Sequence, residues 1–150
     1  MGLAQELRRY RTLGLDTSCF IYYFEDDRYS RYANLIEPIF GMIESGRLAA
    51  VTSVISLAES QVLPRRLGNF AVVNQYRHAF RFFPHLTTAE ITEREGEQAA
   101  QLRADYGFKM PDALQLAAAL IRKVDIFLTN DRDLIRAKEI RVLILDDFTQ

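Results

Sequence analysis

Four carboxylates have the strongest claim to chemistry in this chain: Asp16, Glu59, Asp112 and Asp131. Asp16 closes the run Leu13-Gly14-Leu15-Asp16 and is followed by Thr17 and Ser18. Glu59 stands in Ser56-Leu57-Ala58-Glu59-Ser60, Asp112 follows Pro111, and Asp131 follows Phe127-Leu128-Thr129-Asn130. Asp16 and Glu59 lie inside the apolar stretches Leu13–Phe24 and Val54–Leu63, and neither has a Lys or Arg adjacent to it. Burying an unpaired carboxylate is costly, so such a group demands hydrogen bonds, a cation or a raised pKa. Several carboxylates in one pocket repel one another, and a divalent cation removes that repulsion. An all-oxygen donor set selects Mg²⁺ or Mn²⁺ over zinc, the more so because neither His78 nor His85 falls beside these acids. Each acid also has a plainer reading. Asp112 and Asp131 suit the positive end of a helix, Asp16 would cap a turn starting at Thr17, and Glu59 would be solvated on the edge of its helix. These readings are independent of one another, so four such positions together favour a shared site.

A shared site needs a scaffold that carries distant segments to one edge. Short apolar runs predict strands over Thr12–Asp16, Leu48–Thr52, Phe83–Thr87, Asp125–Thr129 and Arg141–Leu145. Between them, Tyr32, Leu35, Ile36, Ile39, Phe40 and Ile43 form one helical stripe. A second helix is expected over Val54–Leu63, capped by Ser53 and stopped at Pro64. Others are expected over Asn69–Phe82, Ala89–Tyr106 and Pro111–Arg122, with a short one after Asp131. Arg65–Asn69 and Tyr106–Pro111 read as loops. Strands alternating with helices imply right-handed crossovers and a parallel sheet covered on both faces. The expected fold is therefore α/β, a three-layer sandwich around a parallel sheet of about five strands, formed as one domain over residues 1–150. In this scheme all four acids fall near the carboxyl ends of strands, where open α/β sheets place their sites.

Composition sets few limits on this reading. With 49% hydrophobic and 26% charged residues, the chain is ordinary for a soluble globular protein. The net charge of −1 argues against a strongly basic nucleic-acid binder, but once four acids are committed to a cluster the 19 Lys and Arg outnumber those left. Cys19 is the only cysteine, which excludes an internal disulfide and suits a reducing cytoplasm; it reads as a small buried apolar residue. The first residues lack the apolar stretch of a signal peptide, and no apolar run reaches the roughly 20 residues that span a bilayer. The expectation is a cytoplasmic protein. Tyr22-Tyr23-Phe24 and Phe80, Phe82 and Phe83 read mostly as core, with an exposed face for a partner or dimer mate as the alternative.

The four acid-bearing segments resemble the motifs of the PIN-domain family, and more narrowly of VapC-type toxin nucleases. Leu15-Asp16-Thr17-Ser18-Cys19-Phe20-Ile21-Tyr22 is similar to the family's opening motif, and Ser53-Val54-Ile55-Ser56-Leu57-Ala58-Glu59 to its second. Pro111-Asp112-Ala113-Leu114-Gln115-Leu116-Ala117-Ala118-Ala119 resembles the third, and Phe127-Leu128-Thr129-Asn130-Asp131-Arg132-Asp133-Leu134 the fourth. Each motif is weak alone; four in order from about Thr12 to Asp147 are specific. The resemblance implies Mg²⁺- or Mn²⁺-dependent phosphodiester cleavage of RNA, a homodimer, and an antitoxin protein that covers the site. Asp16, Asp112 and Asp131 would hold the cations and Glu59 would complete the cluster or orient the attacking water, while Asp133 competes with Asp131 for the fourth place. Ser18, Thr129 and Asn130 would contact water or a phosphate oxygen, or serve as ordinary turn and cap residues. Arg65, Arg66, Lys109 and Arg132 are the candidate RNA contacts. The principal rival is a PIN-like module that binds RNA or protein without cutting. A second is a phosphotransfer receiver or Mg²⁺ phosphatase, which would want a second acid in the same loop as Asp16 and a Lys on a later strand; Asp16 has no such neighbour, and no Lys directly follows the strand Asp125–Thr129.

Overall fold

The computed structural model describes residues 2–149. Its centre is a five-stranded sheet in the order β3-β2-β1-β4-β5, with every neighbouring pair parallel. The strands are β1 (Thr12–Leu15), β2 (Ala49–Ser53), β3 (Leu86–Ala89), β4 (Ile126–Thr129) and β5 (Arg141–Ile144). Seven helices accompany them: α1 (Leu3–Leu7), α2 (Thr17–Phe24), α3 (Ser30–Glu44), α4 (Val54–Arg66), α5 (Phe70–Phe82), α6 (Glu93–Tyr106) and α7 (Met110–Ile121). Two 3₁₀ turns, Arg132–Arg136 and Leu145–Phe148, follow β4 and β5. The expected three-layer α/β sandwich is the observed one. Among the described residues, no helix is long and apolar enough to cross a membrane.

Alternation along the strands divides the core. Leu13, Leu15, Ile126 and Leu128 pack with Phe20, Ile36, Phe40, Tyr76 and Phe80 on one face, while Phe127 packs with Leu102, Phe108, Ala113, Leu116 and Ala117 on the other. A parallel sheet buried on both faces reads as continuous apolar sequence, and all of β4 is buried. Gly14 in β1 lets α7 approach the sheet. A Cβ there would meet Phe127 Cδ1 at 2.6 Å and Ala119 Cβ at 3.2 Å. The register pairs Leu15 with Leu128, so the chain leaves β1 and β4 at the same level, and the Asp16 N–H donates to the Leu128 carbonyl at 3.1 Å.

Three local expectations are corrected. Pro64 does not stop α4: the helix continues to Arg66, with N–H groups of Leu67 and Asn69 closing on the carbonyls of Leu63 (3.0 Å) and Pro64 (2.8 Å). Arg65 and Arg66 therefore sit on the last helical turn and not in a loop. The third strand begins at Leu86 and not at Phe83, because His85 takes a left-handed conformation (φ 61) that turns the chain first. The following helix starts at Glu93 and not at Ala89, because Thr92 and Glu95 form a reciprocal capping box. Helix α1, which no pattern predicted, buries Leu3 and Leu7. The aromatic runs are largely core: Tyr23 stacks on Phe40 at 4.1 Å, and Phe80 is buried, while Phe82 remains 62% exposed.

Candidate metal centre at the carboxyl edge of the sheet

Each acid is delivered by a break in regular structure. Asp16 leaves β1 in extended conformation and caps α2, accepting the Thr17 N–H at 2.8 Å. Its other oxygen accepts the Thr129 hydroxyl at 2.5 Å. Burial raises its pKa, the two hydrogen bonds oppose that rise, and the charge of Asp131 adds to it. The capping role and the site role therefore coincide in one carboxylate.

Asp112 is half-buried in the first turn of α7, where Pro111 costs no hydrogen bond. Its pKa is pushed up to about 6, first by burial and then by the negative charges of Asp16, Asp131 and Glu59, with Lys109 opposing. The same four acids that lie far apart in sequence thus act on one another through space. Glu59 departs from expectation in being exposed; its Oε1 accepts the Thr17 hydroxyl at 2.6 Å, so it is solvated and tethered at once. Asp131 caps the 3₁₀ turn Arg132–Arg136, accepting the Asp133 N–H at 3.0 Å. Asp133 is exposed and held by Arg136 through Nε (2.8 Å) and Nη2 (3.0 Å), which keeps its carboxyl below the usual range. Asp131 is the residue whose charge reaches Asp16 and Asp112.

Among the described residues, no group of three His, Cys, Asp or Glu side chains is gathered tightly enough to hold an ion as it stands. Asp16, Glu59 and Asp131 each have an oxygen engaged by a donor of the protein. The donor set nevertheless fits a hard cation. It is all oxygen, and Asp16 is a part-buried carboxylate with no Lys or Arg partner among the described residues.

The lesser candidates separate. Thr129 is fully buried between Asp16 and Asp131, donating to the first and accepting the N–H of the second at 3.1 Å. The Ser18 hydroxyl is buried with no hydrogen-bond partner. Asn130 is spent on structure: its amide donates to the Tyr22 and Tyr32 hydroxyls, both at 3.3 Å, and accepts the Asp146 N–H at 2.9 Å. Lys109 is exposed and near enough to Asp112 to lower its pKa. Arg65 bonds Gln61 at 3.1 Å, Arg66 is exposed, and Arg132 pairs with Asp147 at 2.5 Å. Cys19 is fully buried, with a thiol pKa raised by burial.

Below the acids, four polar residues that were not among the candidate site residues are linked: Thr17, Ser53, Ser56 and Gln115. A three-residue step, Ser53-Ser56-Glu59 on α4 and Asp112-Gln115 on α7, was the only available signal for them.

A family model for the PIN domain matches residues 14–140, a span that contains all four acids. The chain belongs to the PIN-domain family. Comparison with curated proteins gives no match. Among solved structures, this PIN domain resembles a chain of a toxin–antitoxin complex from Klebsiella pneumoniae, with a TM-score of 0.62 at 21% identity over 89% of this chain and 97% of that one. It resembles a chain of VapBC2 from Rickettsia felis bound to a promoter DNA fragment, with a TM-score of 0.60 at 16% identity over 89% and 98%. It also resembles a chain of DNA-bound VapBC from Salmonella typhimurium, with a TM-score of 0.63 at 20% identity over 90% and 98%. At these identities the shared property is the fold.

Proposed function

We propose that this PIN domain is a divalent-metal-dependent endoribonuclease and the toxin of a toxin–antitoxin pair. The observation that carries the nuclease reading is the placement of Asp16, Asp112 and Asp131 at the starts of three elements along one sheet edge, near enough that their charges and that of Glu59 act on Asp112. Carboxylates that raise one another's pKa at a sheet edge are costly unless function uses them. Asp16, Asp112 and Asp131 would hold Mg²⁺ or Mn²⁺, with Glu59 completing the set or orienting water. When bound, the metal supplies an acidified water and neutralises charge on the phosphate. Thr129 would keep Asp16 directed into the site through its hydroxyl hydrogen bond, and Asp112 would bind the cation as a carboxylate. Lys109, Arg65, Arg66 and Arg132 would contact the RNA backbone.

The toxin reading is supported by the three structural relatives, all chains of toxin–antitoxin or VapBC complexes. The partner would be a small antitoxin that inserts an Arg among Asp16, Glu59 and Asp112, where a guanidinium pairs bidentately with carboxylate oxygens. A homodimer acting in the cytoplasm completes this reading.

Incubating the purified chain with structured RNA in Mn²⁺ or EDTA tests it. Cleavage is expected in Mn²⁺ alone and is expected to vanish in Asp16→Asn, which keeps the side-chain shape and removes a ligand charge. Mn²⁺ should also raise the melting temperature, with a stabilisation of about 2.7 kcal/mol at a hundredfold excess over its dissociation constant. Undiminished cleavage by Asp16→Asn would remove the site assignment, and a wild type inert in every condition would favour a binding-only module.

A further inference from the structure

Gln115 is 3% exposed on α7, one helical step from Asp112, and its side chain reaches three other elements. Its Nε2 donates to the Leu15 carbonyl at 3.3 Å at the end of β1 and to the Ser56 hydroxyl on α4, while its Oε1 accepts the Ser53 hydroxyl. The Ser56 and Thr17 hydroxyls are 2.9 Å apart, and Thr17 donates to Glu59 at 2.6 Å. Ser53 and Ser56 are fully buried and Thr17 nearly so.

The donor inventory gives this chain of bonds one direction. A backbone carbonyl only accepts, so the amide nitrogen of Gln115 and not its oxygen faces Leu15. Ser56 then receives an N–H from Gln115 and has its own proton free for Thr17. Thr17 receives that proton and spends its single hydrogen on the Glu59 carboxylate. Hydrogen bonds aligned in one sense polarise each other, so the sequence Gln115, Ser56, Thr17 ends in a strengthened donor aimed at one oxygen of Glu59. One buried amide thus touches, directly or through two hydroxyls, three of the elements that carry the four acids.

We propose that Gln115 is a positioning residue which, through Ser56 and Thr17, fixes the direction from which Glu59 faces the cation site and so sets the affinity of that site for a divalent metal. The proposal rests on the metal-centre reading given above. An exposed glutamate on a helix samples many rotamers; a tether at one oxygen leaves the other presented in one direction, which lowers the entropy lost when a cation is gripped.

The test measures Mn²⁺ dissociation constants by calorimetric titration, and metal-free melting temperatures, for the wild type, Ser56→Ala, Gln115→Met, the double variant, Thr17→Val and Thr17→Ser. Ser56→Ala, Gln115→Met and Thr17→Val are each expected to weaken Mn²⁺ binding by about tenfold or more, the range seen when groups that orient metal ligands are removed. The double variant should be no weaker than the worse single one, since both break one relay, and Thr17→Ser should bind as the wild type does. A purely structural role would lower the metal-free melting temperature and leave the dissociation constants unchanged; that result overturns the proposal. Should Gln115→Met fail to fold, the smaller change Ser56→Ala interrupts the same relay and decides alone. A wild type that binds no Mn²⁺ removes the metal-centre reading and the proposal together, whereas a binding wild type with unaffected variants removes only the proposal.

Discussion

Thr129 and Asp16 are joined across the seam between β1 and β4: the threonine hydroxyl donates to the carboxylate at 2.5 Å, and its oxygen accepts the Asp131 N–H at 3.1 Å. One buried oxygen therefore orients one acid directly and a second through its backbone. Thr129→Val preserves shape but deletes the donor, so Asp16 keeps its desolvation penalty and loses its compensation. Mn²⁺ affinity and RNA cleavage are expected to fall by about 10- to 100-fold, while Thr129→Ser keeps both. A Val variant with wild-type affinity in a calorimetric titration would show the hydroxyl to be idle.

Asp131 and Asp133 should behave differently. Asp131 lies within electrostatic range of Asp16 and Asp112, whereas Asp133 is exposed and bound at both oxygens by Arg136. Asp131→Asn is expected to abolish Mn²⁺-dependent cleavage, and Asp133→Asn to leave it nearly intact. A deeper loss in Asp133→Asn would mean that the turn after β4 rearranges on loading.

Asp112 makes the metal-free protein sensitive to pH. Its carboxyl is pushed from the ordinary 3.8 up to about 6, so the folded state holds a proton that the unfolded chain releases. The sign follows: stability falls as pH rises through that window, and the loss is complete above about 6. Asp112→Asn should accordingly melt higher than the wild type at neutral pH and converge with it in acid. Mn²⁺ affinity of the wild type should strengthen as pH passes through the same value, because binding must displace the proton. Parallel melting curves for the two proteins at every pH would contradict this account.

Glu95 works in the opposite sense, away from the site. It is 2% exposed, accepts from the Thr92 N–H at 3.0 Å and from the Thr92 hydroxyl, and pairs with Arg122 at 3.2 Å. The Thr92 hydroxyl bond is the largest cause holding its pKa down to about 2 against an ordinary 4.5. A depressed carboxylate contributes stability above its unfolded pKa and loses it as pH falls through the folded one. Glu95→Gln should therefore be less stable than the wild type at neutral pH, with the gap closing between pH 4.5 and about 2. Acid unfolding followed by circular dichroism checks this, and a constant gap would assign the loss to packing.

The positions of the acids were legible in the sequence because local signals mark them. Asp16 and Asp131 end apolar runs short enough only for strands, and Pro111 announces the helix that carries Asp112. Ser53 signalled the start of α4, accepting the Ile55 N–H at 3.1 Å as a capping serine should. Where a local signal met a tertiary demand it failed. Pro64 reads as a stop, but it is buried and the final turn closes around it. Phe83 reads as strand, but the turn at His85 delays β3.

What only the tertiary structure decided is which polar atoms meet. Periodicity placed Gln115 in a helix, yet nothing in Leu114-Gln115-Leu116 shows that it reaches Ser53, 62 residues away, or that Thr17 donates to Glu59 across 42. Glu59 stands in an apolar stretch and was expected to be buried; the packing of α4 leaves it exposed and tethered. Strand and helix signals act over a few neighbouring residues, so the sequence by itself determined the order of elements and the edge to which each acid is carried. Hydrogen bonds between side chains depend on angles and distances of a fraction of an ångström between packed elements, and those are properties of the assembled core, in which Gly14 sets how closely α7 meets the sheet.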